Sequence, residues 1–161
     1  MPADPSAPLD LREVFARPWS GDATIWRPWW LRWFPSSSRI HFRTEVTDAH
    51  LAETTGLTVH DTTTFPGGRV WHRTMTARLV APDRWSITAE DMPGGAEQVV
   101  GADGFAFTPY KILVPVLGPV RVPLRCTDEI VMSGGTTMID TIEMRFLGVR
   151  VGRMVMELHR E

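Results

Sequence analysis

The sequence predicts an all-β protein: a small antiparallel up-and-down barrel of about eight strands, with a short tryptophan-rich helix as an N-terminal cap. Three observations carry this. From residue 39 onward, apolar and polar residues alternate with period two. Glycine- and proline-rich turns interrupt the alternation at regular intervals, while threonine, valine, isoleucine and aromatics fill the runs. The one helical periodicity of note lies before residue 36. A meander of this kind closes on itself to remove exposed strand edges, and its interior is filled by side chains or holds one small ligand. A two-sheet sandwich is the structural alternative.

Residues 1–9, rich in proline and small side chains, bury little surface and are expected to form a flexible arm ahead of a single barrel domain spanning 10–161. Residues 19–35 form the cap. There, "IWRPWWLRWF" places Trp26, Trp29, Trp30 and Trp33 at i, i+3, i+4 and i+7, one face of a helix. Pro28 suits a first-turn position and Pro35 ends the segment. A stripe this short must dock on something, as a core plug, a lid over a ligand mouth or an anchor at a membrane interface. The lack of a lysine-rich polar face favours the lid over the anchor. The strands then follow as "RIHFRTEVT", "GLTVHDTTTF", "RVWHRTMTARLV", "WSITAEDM", "FAFTPYKILV", "VRVPLRCTDEIVM", "TTMIDTIEMRF" and "RMVMELHR".

A formal charge of −2 gives no global field to recruit nucleic acid or anionic lipid. A single cysteine, Cys126, excludes an internal disulfide framework and a multi-cysteine metal site. No cationic start with an apolar run marks a signal peptide, and no stretch approaches the roughly 20 apolar residues of a transmembrane helix. A cytoplasmic protein is expected. The histidines lack metal-ligand spacing, so no metal and no cofactor are expected; His159, on the last strand, suggests a haem-binding barrel, but a lone strand histidine is far more often a surface residue.

Asp91 shares strand parity with Trp85, Ile87 and Ala89, a face that turns inward, and an inward carboxylate requires a partner. Arg73, on the neighbouring hairpin arm, can supply it. Tyr110 and Asp128 fall on adjacent strands; with a second carboxylate they could bind a carbonyl or enolate. Of Asp140 and Glu143, one is expected to face out.

Beyond these readings, "RTMTARLVAPDRWSITAEDMPGGAE", "GFAFTPY", "TDEIVM" and "MRFLGVRVG" resemble an uncharacterised bacterial family, domain of unknown function 3833, whose members look like calycins, the superfamily of lipocalin-like barrels. Arg73, Trp85, Asp91, Gly94, Ala96, Tyr110, Asp128, Phe146, Gly148 and Gly152 fall on its positions, and the likeness covers about residues 40–161. It implies a fold and no activity. The chain departs from the family at "FLG", where Leu147 is inserted, and at "IWRPWWLRWF", which has no counterpart there.

Three functions follow as expectations. The first is a barrel that binds a hydrophobic small molecule, lined by Trp26, Trp30, Trp33, Trp71, Trp85, Phe105 and Phe107 with adaptable methionines. The second is a cofactor-free isomerase or cyclase acting on an apolar substrate, in which Asp91 moves a proton, Tyr110 or Arg73 stabilises developing charge, and Asp128 completes the set. The third is an interaction protein, a homodimer whose tryptophan stripe is the interface.

Overall fold

The computed structural model describes residues 7–31, 37–47, 55–117 and 120–161. Ten strands occupy them: β1 (Trp19–Trp26), β2 (Ser37–Val46), β3 (Gly56–Thr64), β4 (Val70–Ala81), β5 (Arg84–Ala89), β6 (Ala96–Val100), β7 (Gly104–Leu117), β8 (Val120–Ser133), β9 (Thr137–Phe146) and β10 (Val149–Arg160). Each pairs antiparallel with its neighbour in sequence, and β1 also pairs with β10 to close the barrel. The all-β barrel is as expected; the strand number exceeds expectation by two, β1 and β6.

The segment read as the start of a helical stripe is largely β1. In "WSGDATIW", Trp19 and Ala23 are buried and Ile25 reaches the lumen, while Asp22 and Trp26 are exposed, an alternation of period two. Gly21 is required in this strand because a Cβ there would overlap the Glu157 carbonyl oxygen of β10. Pro28 then disfavours helical geometry at Arg27 and breaks the ladder. Only a single 3-10 turn follows, Trp29–Leu31, held by Leu31 N–H donating to the Pro28 carbonyl at 3.0 Å. The tryptophan helix is therefore corrected to a strand end and one turn; Trp33 lies outside the described residues.

The plug is formed instead by a helical turn, α1 (Leu11–Val14). The Asp10 side chain caps it by accepting from Arg12 N–H at 2.9 Å, which satisfies one orphan donor. Leu11 and Val14 are buried, and the Phe15 ring lies 6.1 Å from that of Phe105. Trp19 Nε1 donates to the Val14 carbonyl at 2.8 Å, and Arg160 Nη2 donates to the same oxygen at 3.1 Å. Leu9 N–H donates to the Gly101 carbonyl. These contacts close the end where β10 finishes. The other end, where β1 finishes and the β9–β10 hairpin turns, is here called the mouth.

Candidate functional site

The lumen is a cavity of about 270 Å³, close to the lower end of the 300–1,000 Å³ range of ligand pockets. Its wall is mainly apolar. Ile25, Phe65, Trp71, Met144 and Met154 stand toward the mouth, and Leu57, Ile87, Phe105 and Met138 toward the plugged end. Strand parity sets this lining. On β3, Leu57, Val59, Asp61, Thr63 and Phe65 succeed one another at every second residue and all face inward.

One interruption of parity matters. Register on β7 shifts between Phe107 and Tyr110, where Pro109 has no N–H to give the ladder. The bulge lets Phe105 and Phe107 face inward before it, and Tyr110, Ile112 and Val114 after it. Tyr110 thereby stands beside Asp128, donating its hydroxyl to Asp128 Oδ2 at 3.2 Å, with its ring 5.6 Å from that of Phe107.

Two sets of polar side chains enter this apolar wall. On one side, Thr44, Asp61 and Arg73 are register neighbours across β2, β3 and β4. Arg73 Nε donates to Asp91 Oδ1 at 3.0 Å, and both side chains are largely buried. Asp91 is fixed from behind, since its carbonyl accepts from Leu113 N–H at 2.8 Å, so the β5–β6 turn folds against β7. On the other side stand Tyr110, Cys126 and Asp128, with Asp140 from β9.

Carboxylates outnumber cations here. Asp61, Asp128 and Asp140 are all buried in the lining, where Arg73 is the only lysine or arginine among the described residues. Desolvation dominates. It raises Asp61 to about 6, against the smaller opposing effects of the Thr44 hydroxyl bond and the Arg73 charge. Burial also raises Asp140 well above the carboxylate range, with the charge of neighbouring Asp128 adding to it. Burial also raises Asp128, to about 6, so two carboxyls in one apolar wall both favour their neutral forms. Burial likewise pushes the Cys126 thiol up to about 12 and the Tyr110 phenol well above its ordinary value. Cys126 is thus a neutral thiol, and Tyr110 a donor rather than an anion.

Several of these groups have bonding capacity to spare. Asp61 Oδ1, Asp128 Oδ1, Asp140 Oδ1, Asp91 Oδ2 and Arg73 Nη2 are buried with no hydrogen-bond partner. Unpaired buried polar atoms are costly, and of these five residues Asp61, Arg73, Asp128 and Asp140 line the lumen.

The structure thus brings Arg73 against Asp91 and Tyr110 against Asp128, and places Trp71, Phe105 and Phe107 on the lumen wall. Trp85 is buried but does not line the cavity. Trp26 and Trp30 are 45% and 42% exposed and lie off the lumen, because β1 parity and the turn after it send them outward. Asp61 was missed as a site residue. Its signal was the inward series Leu57, Val59, Asp61, Thr63, Phe65, masked by the polar residues on both faces of "GLTVHDTTTF". The described histidines all lie off the lumen, and His159 is exposed beside Glu157 and Thr137. No grouping of three or more metal-ligating side chains occurs among the described residues.

No protein-family model matches this chain, and no curated protein matches it by sequence. Solved structures do resemble it. A protein of unknown function of the DUF3598 family from Nostoc punctiforme superposes with a TM-score of 0.60 at 11% identity, over 98% of this chain and 51% of that one. This chain therefore spans about half the length of the Nostoc protein. An S-type phycobiliprotein lyase from Guillardia theta gives 0.61 at 8% identity, over 95% of this chain and 93% of that one. Rv2717c from M. tuberculosis gives 0.59 at 13%, over 92% and 93%. At such identities the likeness shows the fold alone, an antiparallel β-barrel.

Proposed function

We propose that this protein binds a hydrophobic small molecule in its lumen, one with an apolar body and a hydrogen-bonding end. The observation that carries the reading is the cavity of about 270 Å³ with buried, unpartnered carboxylate oxygens at its polar wall. The apolar wall rewards burial of the body by roughly 25 cal/mol per Å². The unpaired oxygens of Asp61, Asp128 and Asp140 favour donors on the ligand, and Arg73 Nη2 favours one acceptor. The residue-level likeness to domain of unknown function 3833 and a cytoplasmic location, where Cys126 stays reduced, belong to the same proposal. Native mass spectrometry and solvent extraction of the purified protein, followed by titration with a fluorescent apolar probe, test it. The expected result is one probe per chain, displaced by the extracted compound, with a rise in melting temperature. An empty protein that neither binds the probe nor gains stability from any member of an apolar library refutes it.

A second reading rests on two buried carboxyls in the lumen wall, Asp128 and Asp140, with the Tyr110 hydroxyl donating to Asp128. A carboxyl pair of this kind suits a cofactor-independent isomerase or cyclase, one member removing a proton and the other returning it, with Tyr110 or Arg73 holding developing negative charge. On this reading Asp91 acts through Arg73, whose orientation it fixes. Incorporation of solvent deuterium into a bound ligand, abolished in Asp128→Asn, distinguishes catalysis from storage.

A further inference from the structure

The mouth carries two features that barrel stability does not explain. Lys111, Arg125, Arg145 and Arg150 form one transverse row across β7 to β10, each in register with the next. All four are exposed. Like charges directly opposite one another destabilise a sheet, so four in succession cost the fold stability rather than contribute to it. Glu143 pairs with the row, at 3.4 Å from Arg145 and 3.9 Å from Arg150, leaving a strong local excess of positive charge on a chain whose net charge is −2.

The same end presents large apolar side chains to solvent. Trp26, Trp29 and Trp30 project from the end of β1 and the turn after it; Phe146, Leu147 and Val149 project from the β9–β10 hairpin. Trp29 is 84% exposed and Leu147 88%. Leu147 also holds a left-handed backbone, φ 48°, at a tight turn where asparagine or glycine fits without strain. A strained, fully exposed leucine points to a role outside the chain.

We propose that this rim docks on an anionic lipid bilayer, with the cationic row against the headgroups and the indoles and Leu147 inserted at the interface. Arginine and lysine are drawn to anionic headgroups, and tryptophan is favoured at the boundary between headgroups and hydrocarbon. A nucleic acid backbone would satisfy the cations and leave Leu147 and Phe146 unmatched. A bilayer satisfies both. Docking turns the mouth, lined by Ile25, Met144 and Met154, toward hydrocarbon, so an apolar molecule could pass between bilayer and lumen without crossing water. The docking rests on the rim alone and stands whatever the lumen holds.

Flotation of the full chain with vesicles of phosphatidylcholine, with and without phosphatidylglycerol, tests this. The wild type is expected to float with the anionic vesicles at low salt and to be released by high salt. Arg125→Gln combined with Arg145→Gln is expected to weaken binding about 25-fold, roughly fivefold per charge. The same double variant should melt no lower than the wild type, because cross-strand repulsion has been relieved. Trp29→Ser is expected to weaken binding to anionic vesicles while leaving its salt dependence. The proposal is overturned if the wild type fails to float with anionic vesicles or if neither variant changes flotation. Salt-dependent binding to duplex DNA or to an acidic protein, without binding to vesicles, overturns it equally.

Discussion

Asp61→Asn should stabilise the protein at neutral pH and leave it nearly unchanged in acid. The Asp61 carboxyl is buried, has one oxygen without a partner, and is raised from 3.8 to about 6. A carboxyl whose folded value lies above its unfolded one favours the fold in its protonated form. That contribution is whole below about pH 4 and is lost as the pH climbs through about 6. Two pKa units correspond to about 3 kcal/mol, the stability the wild type forfeits between those limits through this group. The amide keeps the shape and can still bond the Thr44 hydroxyl, but has nothing to ionise. Any fixed penalty of the amide offsets the whole curve, so the quantity to read is the difference in slope. Urea denaturation or thermal melting from about pH 4 to about pH 7.5 should show the variant gaining about 3 kcal/mol on the wild type, a relative shift of roughly 6–12 °C in a chain of this size. Carboxylates elsewhere, such as Asp10, whose bond to Arg12 lowers it, are common to both proteins and cancel. Parallel curves for the two proteins would show that Asp61 is not a desolvated carboxyl and would remove it from the site.

Arg73→Met should cost about 3–5 kcal/mol at pH 7 by stranding the buried Asp91 and Asp61 carboxylates, with part of the loss recovered in acid, as read by urea titration at both pH values. Gly21→Ala should destabilise by more than about 2 kcal/mol, or prevent folding, because its Cβ collides with backbone and cannot be relieved by a rotamer change. Leu147→Asn should raise stability by about 1 kcal/mol in thermal melts, since asparagine tolerates the left-handed turn. The same variant should float less well with anionic vesicles, a trade of stability against docking.

The barrel was legible because burial on one face imposes period two wherever a strand lines the lumen, and glycine and proline mark the returns. Both missed strands obey that period. For β1, the four tryptophans of "IWRPWWLRWF", of which only Trp26 belongs to the strand, fit helical spacing, and that density concealed the alternation of Trp19, Gly21, Ala23 and Ile25. In β6 only five residues are involved, and the buried central position is Gln98, so the inward face does not read as apolar. The plug α1 is a single turn, too short for periodicity to register, although Asp10 ahead of Leu11, Val14 and Phe15 is a recognisable cap. Within the site, the adjacency of Tyr110 and Asp128 was readable from two strands, whereas Asp91 lies past the end of β5 in the turn to β6, where strand parity no longer sets its direction. The meeting of Asp61 with Arg73, and of Asp128 with Asp140, depends on register between strands, which single-strand alternation leaves open.

The seam between β1 and β10 also governs how the protein is made. Trp19 faces Arg160 across it, so the contact that closes the barrel joins residues almost a chain length apart, the costliest kind of loop to close. Every other strand pair is local and can zip as its hairpin leaves the ribosome, yet β1 lacks its second neighbour until β10 has been synthesised. Until then one edge stands open beside an unplugged apolar trough, since Arg160 also ties down α1. Folding should therefore resemble that of other β-rich topologies, milliseconds to seconds rather than microseconds. C-terminal truncation, even of the last few residues, should yield aggregation rather than a smaller functional barrel.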